Sequence, residues 1–107
     1  MATIAARITM PETAKKGEII EIRLLVRHPM ERGIDAQGAV SVRRQILHTF
    51  RVRYAGEEVF HMDLSTGIAA NPYIAFTTTA VETGEITFEW VEDGGAVYQR
   101  SAMLTVT

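Results

Sequence analysis

Hydrophobic and polar residues alternate along most of this sequence, and that alternation limits the chain to a β-rich fold. The clearest case covers residues 20–26, where apolar side chains fall on every even position and Glu21 and Arg23 fall between them. Successive side chains of an extended chain point to opposite faces, so the pattern predicts a strand with one buried face. No window of a dozen residues has a 3.6-residue period, and we therefore predict no helices.

The same two-residue period recurs in six more short segments, 4–8, 50–54, 60–64, 74–76, 86–90 and 102–106. Turn-forming residues separate several of them, namely Ala55-Gly56, Gly84 and Asp93-Gly94-Gly95, which predict hairpins or tight corners. Seven short strands without helical crossovers favour an all-β, immunoglobulin-like antiparallel β-sandwich. Because 107 residues can build one hydrophobic core, we expect a single domain over residues 1–107.

Charge and cysteine content exclude several classes of function. Eleven Lys and Arg residues against thirteen Asp and Glu residues give a net charge of -2, which does not favour nucleic-acid binding. The chain has no Cys, so it cannot form disulfides, use a thiolate nucleophile or bind zinc through sulfur. No run approaches the roughly 18 apolar residues of a membrane span, and we see no signal-peptide pattern at the N-terminus.

The residues that could carry out catalysis lack the spacing that catalysis needs. The three histidines do not form an H-x-H or H-E-x-x-H motif, and neighbouring carboxylates such as Glu57-Glu58 point in opposite directions on an extended chain. We therefore assign no catalytic residue, cofactor or metal and expect a protein that is not an enzyme. One alternative stays open, because His48 and His61 could face each other across the Ala55-Gly56 hairpin and bind a metal.

A second alternative is anion binding. Arg51 and Arg53 share one face of a predicted strand and follow Arg43-Arg44, so together they could form a basic stripe. A third is self-association through exposed strand edges, which would make the chain a structural module.

Residues for contact with a partner come from exposed apolar positions and from two loops. Leu25 and Leu47 fall opposite the apolar pattern of their strands, and Met30 lies in the long connection His28 to Gln45. Asn71 and Pro72 place Tyr73 at the start of another strand. The full set of candidates is Leu25, His28, Pro29, Met30, Leu47, Arg51, Arg53, Asn71 and Tyr73.

Six short motifs follow one another along the chain, namely MPETAKKGE at 10–18, RHPMERG at 27–33, GEEVF at 56–60, ANPYIAF at 70–76, ETG at 82–84 and TFEW at 87–90. Together they resemble the SoxZ family, the small subunits of the SoxYZ thiosulfate-oxidation carrier complex. Each motif alone is weak, but their order matches over essentially the whole chain.

The resemblance implies a non-catalytic subunit that forms a heterodimer with SoxY, whose mobile arm carries sulfur intermediates on a cysteine. It also implies transient docking with the other Sox enzymes and no cofactor. Export to the periplasm would occur together with SoxY, because no signal peptide of its own is visible. Since this chain lacks Cys, the association would be wholly non-covalent.

Overall fold

The computed structural model describes residues 4–31, 33 and 44–107, and these form eight β-strands. The strands are β1 Ala6–Thr9, β2 Thr13–Ala14, β3 Ile19–Val26, β4 Leu47–Tyr54, β5 Glu57–Asp63, β6 Tyr73–Thr79, β7 Gly84–Glu92 and β8 Val97–Val106. All seven predicted strands are present. The additional strand, β2, has only two residues and is too short for a periodic pattern to reveal it.

Two sheets pack face to face. One has three strands in the order β1-β3-β6, and the other has five in the order β2-β8-β7-β4-β5. All pairings between adjacent strands are antiparallel except that of β2 with β8. The all-β, immunoglobulin-like sandwich predicted from the sequence is confirmed. No helix in the described part of the chain could span a membrane.

Strand β3 follows the predicted alternation at every position. Its even residues, from Ile20 to Val26, are at most 2% exposed, while its odd residues face solvent. Strand β4 departs from the alternation at one point, where an extra residue, His48, bulges out of the pairing with β7. The bulge turns the side chains before it to the opposite face of the sheet, so the Leu47 side chain points into the core and not toward solvent.

Aromatic side chains fill the space between the sheets. Trp90 and Phe50 are fully buried, with ring centroids 5.1 Å apart. Near the edge of the sandwich, Phe60 of the five-stranded sheet stacks on Phe76 of the three-stranded sheet at 4.5 Å. Phe50 and Trp90 lie on neighbouring strands of the five-stranded sheet, whereas the contact of Phe60 with Phe76 joins the two layers directly.

The turns follow the predicted positions. Ala55 and Gly56 connect β4 to β5 with φ values of 55° and 77°, which matches a two-residue hairpin turn of the favoured twist. Gly94 and Gly95 connect β7 to β8 with φ values of 91° and 95°. Gly84 instead begins β7 after a corner between the two sheets.

A buried polar cluster lies at the end of the sandwich where the long connection leaves and returns. The ring of His28 accepts a hydrogen bond at Nδ1 from the Met30 N–H, so its proton sits on Nε2 and is donated to Glu92 Oε2 at 2.5 Å. The other carboxylate oxygen of Glu92 accepts bonds from Gln45 Nε2 at 2.9 Å and Tyr98 OH at 3.2 Å. The cluster thus links the end of β3, in the three-stranded sheet, to β7 and β8 of the five-stranded sheet.

Burial alone would raise the pKa of the Glu92 carboxyl, but the hydrogen bonds from His28, Gln45 and Tyr98 hold that pKa below its ordinary value. Next to Glu92, the Arg44 guanidinium donates hydrogen bonds to both carboxylate oxygens of Asp93 at 2.8 Å and lowers the pKa of that carboxyl as well. Most of the predicted connection from His28 to Gln45, including Arg43, lies outside the described residues.

Trp90→Ala is expected to reduce the free energy of unfolding by about 3–5 kcal/mol, because it leaves a large cavity beside Phe50. Urea denaturation monitored by circular dichroism measures the change. Met103→Ala serves as the control, since that side chain is 62% exposed on the outer face of the five-stranded sheet. Its removal should change stability by about 0.5 kcal/mol or less. A wild-type midpoint for Trp90→Ala would contradict the placement of this side chain in the core.

Stability should also fall in acid, with a sign set by the lowered pKa of Glu92. A carboxyl whose pKa is lower in the folded chain stabilises the fold above its unfolded pKa of about 4.3, and this contribution disappears as the pH drops through the folded pKa. Glu92→Gln should therefore flatten the acid limb of a plot of unfolding free energy against pH, and Tyr98→Phe should flatten it less. An unchanged acid limb in Glu92→Gln would show that this carboxyl does not stabilise the fold.

Candidate partner-binding surface

The outer face of the three-stranded sheet combines exposed apolar side chains with arginines. The strand register aligns Arg7 of β1, Leu25 of β3 and Tyr73 of β6 in one row across the sheet. Leu25 is 39% exposed and Tyr73 is 62% exposed. We call this region the arginine-rimmed face, defined by Arg7, Arg23, Leu25, Arg27, Asn71 and Tyr73.

Two grooves mark this face. One, of about 410 Å³, runs between Arg7 and Arg27 with Leu25 and Asn71 in its wall. The other, of about 250 Å³, lies on the far side of Leu25 and reaches Arg23 and Tyr73. Leu25 therefore stands as a ridge between two depressions, a shape that a protruding partner side chain could fill on either side.

The charge of the face is positive although the whole chain is acidic. Arg23 bonds Glu21 at 2.5 Å, and both side chains are about half exposed. Among the described residues, no ion pair includes Arg7 or Arg27. Three arginines against one glutamate leave this part of the surface suited to an acidic partner.

Asn71 is held at the rim by His28. The backbone N–H of Asn71 donates to the His28 carbonyl at 2.7 Å, and its side-chain Oδ1 accepts the His28 N–H at 2.9 Å. Asn71 has a φ of 53°, a left-handed conformation that Asn tolerates better than most residues. The buried cluster around Glu92 therefore also fixes one corner of the exposed face.

Three of the predicted contact residues, Leu25, Asn71 and Tyr73, come together on this face. The prediction did not include Arg7, Arg23 and Arg27. Two of them could have been found from the alternation along β3 and the two residues after it, where Arg23, Leu25 and Arg27 are exposed between buried residues. Arg7 needed the register of β1 against β3, which no local pattern specifies.

Other predicted contact residues occupy different places. The predicted exposure of Leu47 and Met30 is wrong, since Leu47 faces the core after the β4 bulge and Met30 is 4% exposed. The sulfur of Met30 accepts the Leu47 N–H at 3.4 Å. His28 is buried in the polar cluster, so it positions Asn71 without reaching the surface, and Pro29 beside it is exposed.

Arg51 and Arg53 lie on the outer face of the five-stranded sheet, as predicted, but acidic neighbours offset the basic stripe. Arg51 pairs with Glu89 at 3.3 Å on the adjacent strand, and Arg44 pairs with Asp93. Arg53 is opposite Glu58 in the register. This side of the sandwich is thus charged but largely balanced.

The two histidines considered for a metal do not face each other. His61 is opposite Arg51 in the register, whereas the His48 carbonyl accepts the N–H of Leu64. Hydrogen bonds to Asp63 and Glu58 raise the pKa of His61. No group of three or more His, Asp or Glu side chains among the described residues has the arrangement of a metal site.

Solved structures with the same fold include two superoxide reductases and a sulfur carrier. The superoxide reductase (neelaredoxin) from Ignicoccus hospitalis has a TM-score of 0.71 and 16% identity, covering 95% of this chain and 80% of that one. A variant of the superoxide reductase (neelaredoxin) from Archaeoglobus fulgidus, in the reduced form, has a TM-score of 0.59 and 12% identity, with coverages of 96% and 87%. The sulfur carrier protein SoxY from Chlorobium limicola f thiosulfatophilum has a TM-score of 0.66 and 15% identity, with coverages of 96% and 79%. At these identities the likeness establishes the fold alone.

The family comparison is more specific. No curated protein sequence matches the chain. The model of the family described as sulphur oxidation protein SoxZ matches residues 8–103, which include all eight strands except the first two residues of β1 and the last three of β8. It also spans every motif that suggested the resemblance. The chain belongs to the SoxZ family and has a role in the Sox system of sulfur oxidation.

Proposed function

We propose that this chain is the non-catalytic subunit of a SoxYZ-type carrier and binds a SoxY-like protein through the arginine-rimmed face. The observation that carries the proposal is the row Arg7, Leu25 and Tyr73, which exposes apolar surface between cations on a SoxZ-family chain. The partner supplies the cysteine on which the sulfur intermediates ride, because this chain has none.

The composition of the face matches what protein interfaces use. Their centres are rich in Tyr, Arg and other large side chains that lose contact with water on binding, and their rims stay polar. Here Leu25 and Tyr73 form the centre, and Arg7, Arg27 and Asn71 form the rim. The positive rim calls for acidic side chains on the partner, which would also speed the encounter at low salt.

Several features of the proposal follow from the family and not from the geometry. The complex is a non-covalent heterodimer in the periplasm, exported together with the partner. The other enzymes of the thiosulfate-oxidation cycle dock on it transiently, and this chain acts as a scaffold without turnover of its own.

The heterodimer itself is tested by native mass spectrometry of the chain alone and co-expressed with a SoxY-family protein. We expect a one-to-one complex that persists in reductant. Homo-oligomers of this chain that exclude the SoxY-family protein would contradict the proposal and favour the self-associating module. Stoichiometric bound metal without partner binding would favour the metal-binding alternative.

The location of the contact is tested by truncating the central side chains. Tyr73→Ala and Leu25→Ala should each weaken the complex by about 10- to 30-fold in isothermal titration calorimetry, because central aromatic and apolar anchors carry most of an interface's energy. Met103→Ala, a similarly exposed apolar side chain on the opposite sheet, is the matched control and should bind as the wild type does. Loss of affinity in Met103→Ala alone would place the contact on the five-stranded sheet.

A further inference from the structure

Exposed strand edges are sites where other chains can pair, and three of the four edge strands in the described part of the sandwich are protected. Strand β2 has only two residues. Strand β5 carries the charged residues Glu57, Glu58, His61 and Asp63. Strand β1 has only four residues, and the guanidinium of Arg100 covers the start of its edge by donating to the carbonyls of Ile4 and Ala6. Short length, charge and covering groups are the usual means by which natural sheets prevent edge pairing.

In the part of the chain that the structure describes, strand β6 has none of these protections. Its seven residues, Tyr73–Thr79, include no charged residue and no proline. Its register with β3 is continuous from Thr79 opposite Ile19 to Tyr73 opposite Leu25, without a bulge. Among the described residues, no strand pairs with its other edge. An unprotected edge of this length is a template for a further strand.

The hydrogen bonds to β3 identify which backbone groups of β6 point away from β3. The carbonyl of Pro72 accepts the Val26 N–H, and the N–H of Ala80 donates to Glu18. In an antiparallel pair every second residue points its N–H and C=O toward the neighbouring strand. Ile74, Phe76 and Thr78 therefore bond β3. The N–H and C=O groups of Tyr73, Ala75, Thr77 and Thr79 point to the open edge.

We propose that β6 binds an extended segment of the partner subunit as a fourth strand of the small sheet, with an acidic side chain of that segment facing Arg23. This inference rests on the proposed function and specifies how the partner is held. Main-chain hydrogen bonds to four residues of β6 supply the pairing, and the arginine-rimmed face continues without interruption onto the added strand.

The charge on the face explains why the occupant is a partner and not a second copy of this chain. Arg23 is opposite the small residue Ala75 in the register, and Tyr73 lines the same groove beside it. Among the described residues, Glu21 alone forms an ion pair with Arg23, at a half-exposed site. A second copy pairing through its own β6 would bring Tyr, Ile, Ala, Phe and Thr side chains and no carboxylate. A partner strand with an acidic residue complements the cation.

Residue-resolved hydrogen exchange by NMR tests the pairing, using the full chain free and in complex with a SoxY-family protein. In the free chain the amides of Ala75 and Thr77 should exchange at least 10-fold faster than those of Phe76 and Thr78. In the complex they should slow to the level of their neighbours, which removes the alternation. No other mode of docking predicts a change confined to every second amide of β6.

Each other outcome overturns the proposal in a distinct way. Amides of Ala75 and Thr77 that are already slow in the free dilute chain would mean that the edge is covered from within. Slowing that depends on the concentration of this chain alone would make a second copy the occupant. A complex that forms while these amides remain fast would overturn strand addition but leave the proposed function intact. Failure to form any complex would overturn the proposed function.

Thr77→Pro removes one of the open-edge N–H groups and leaves the bonds to β3 in place. It should weaken the complex at least 10-fold, while the matched control Thr77→Ser keeps the N–H and binds as the wild type does. If Thr77→Pro unfolds, Ala75→Lys replaces it, since a lysine on an edge strand opposes pairing without changing the backbone. Wild-type affinity in a folded variant of either kind would overturn the proposal.

Discussion

The strict alternation of strand β3 determines both the core and the exposed face of this protein. Its even residues fill the core between the sheets, and its odd residues build the exposed face with β1 and β6 on either side. A shift of one residue in its register would exchange the two sets. The fold and the candidate interface are therefore fixed by the same pairing.

The polar cluster at one end links that core to the surface. His28 lies two residues after the end of β3, and it holds the Glu92 carboxylate on the opposite sheet through its ring and Asn71 through its backbone. A buried carboxylate without donors would destabilise the fold, whereas three donors make it a joint between the sheets. The same joint keeps the start of β6, and therefore Tyr73, in a fixed relation to Leu25.

Much of this arrangement can be predicted from the sequence, and the failures have physical causes. Alternation with a period of two is a local signal, so the sequence predicts the strands and their buried faces. The turn residues Ala55-Gly56 likewise predict the hairpin. A bulge depends on the pairing of two strands. Nothing in the sequence near Leu47 predicts that the bulge at His48 turns the Leu47 side chain to the opposite face of the sheet. The burial of Met30 likewise depends on contacts between segments distant in the chain.

The surface was predictable to the extent that it lies on one strand. Leu25 was predicted from its place opposite the core pattern, but Arg7 joins it only through the pairing of β1 with β3. The position of β6 at an edge among the described strands follows from the strand order. Likewise, the basic stripe predicted around Arg51 is offset by Glu89, which lies opposite Arg51 on β7, 38 positions further along the chain. Residues on one strand face can be read from periodicity, whereas combinations across strands require the topology.

In the proposed complex the partner binds the outer face of the three-stranded sheet. The most direct test places a photoreactive benzoylphenylalanine at Tyr73, where an exposed aromatic ring already stands, and irradiates the complex with a SoxY-family protein. The same group at Met103 reports on the opposite sheet. We expect a covalent adduct with the partner from position 73 and none from position 103. An adduct from position 103 without one from position 73 would show that the partner binds the five-stranded sheet and not the arginine-rimmed face.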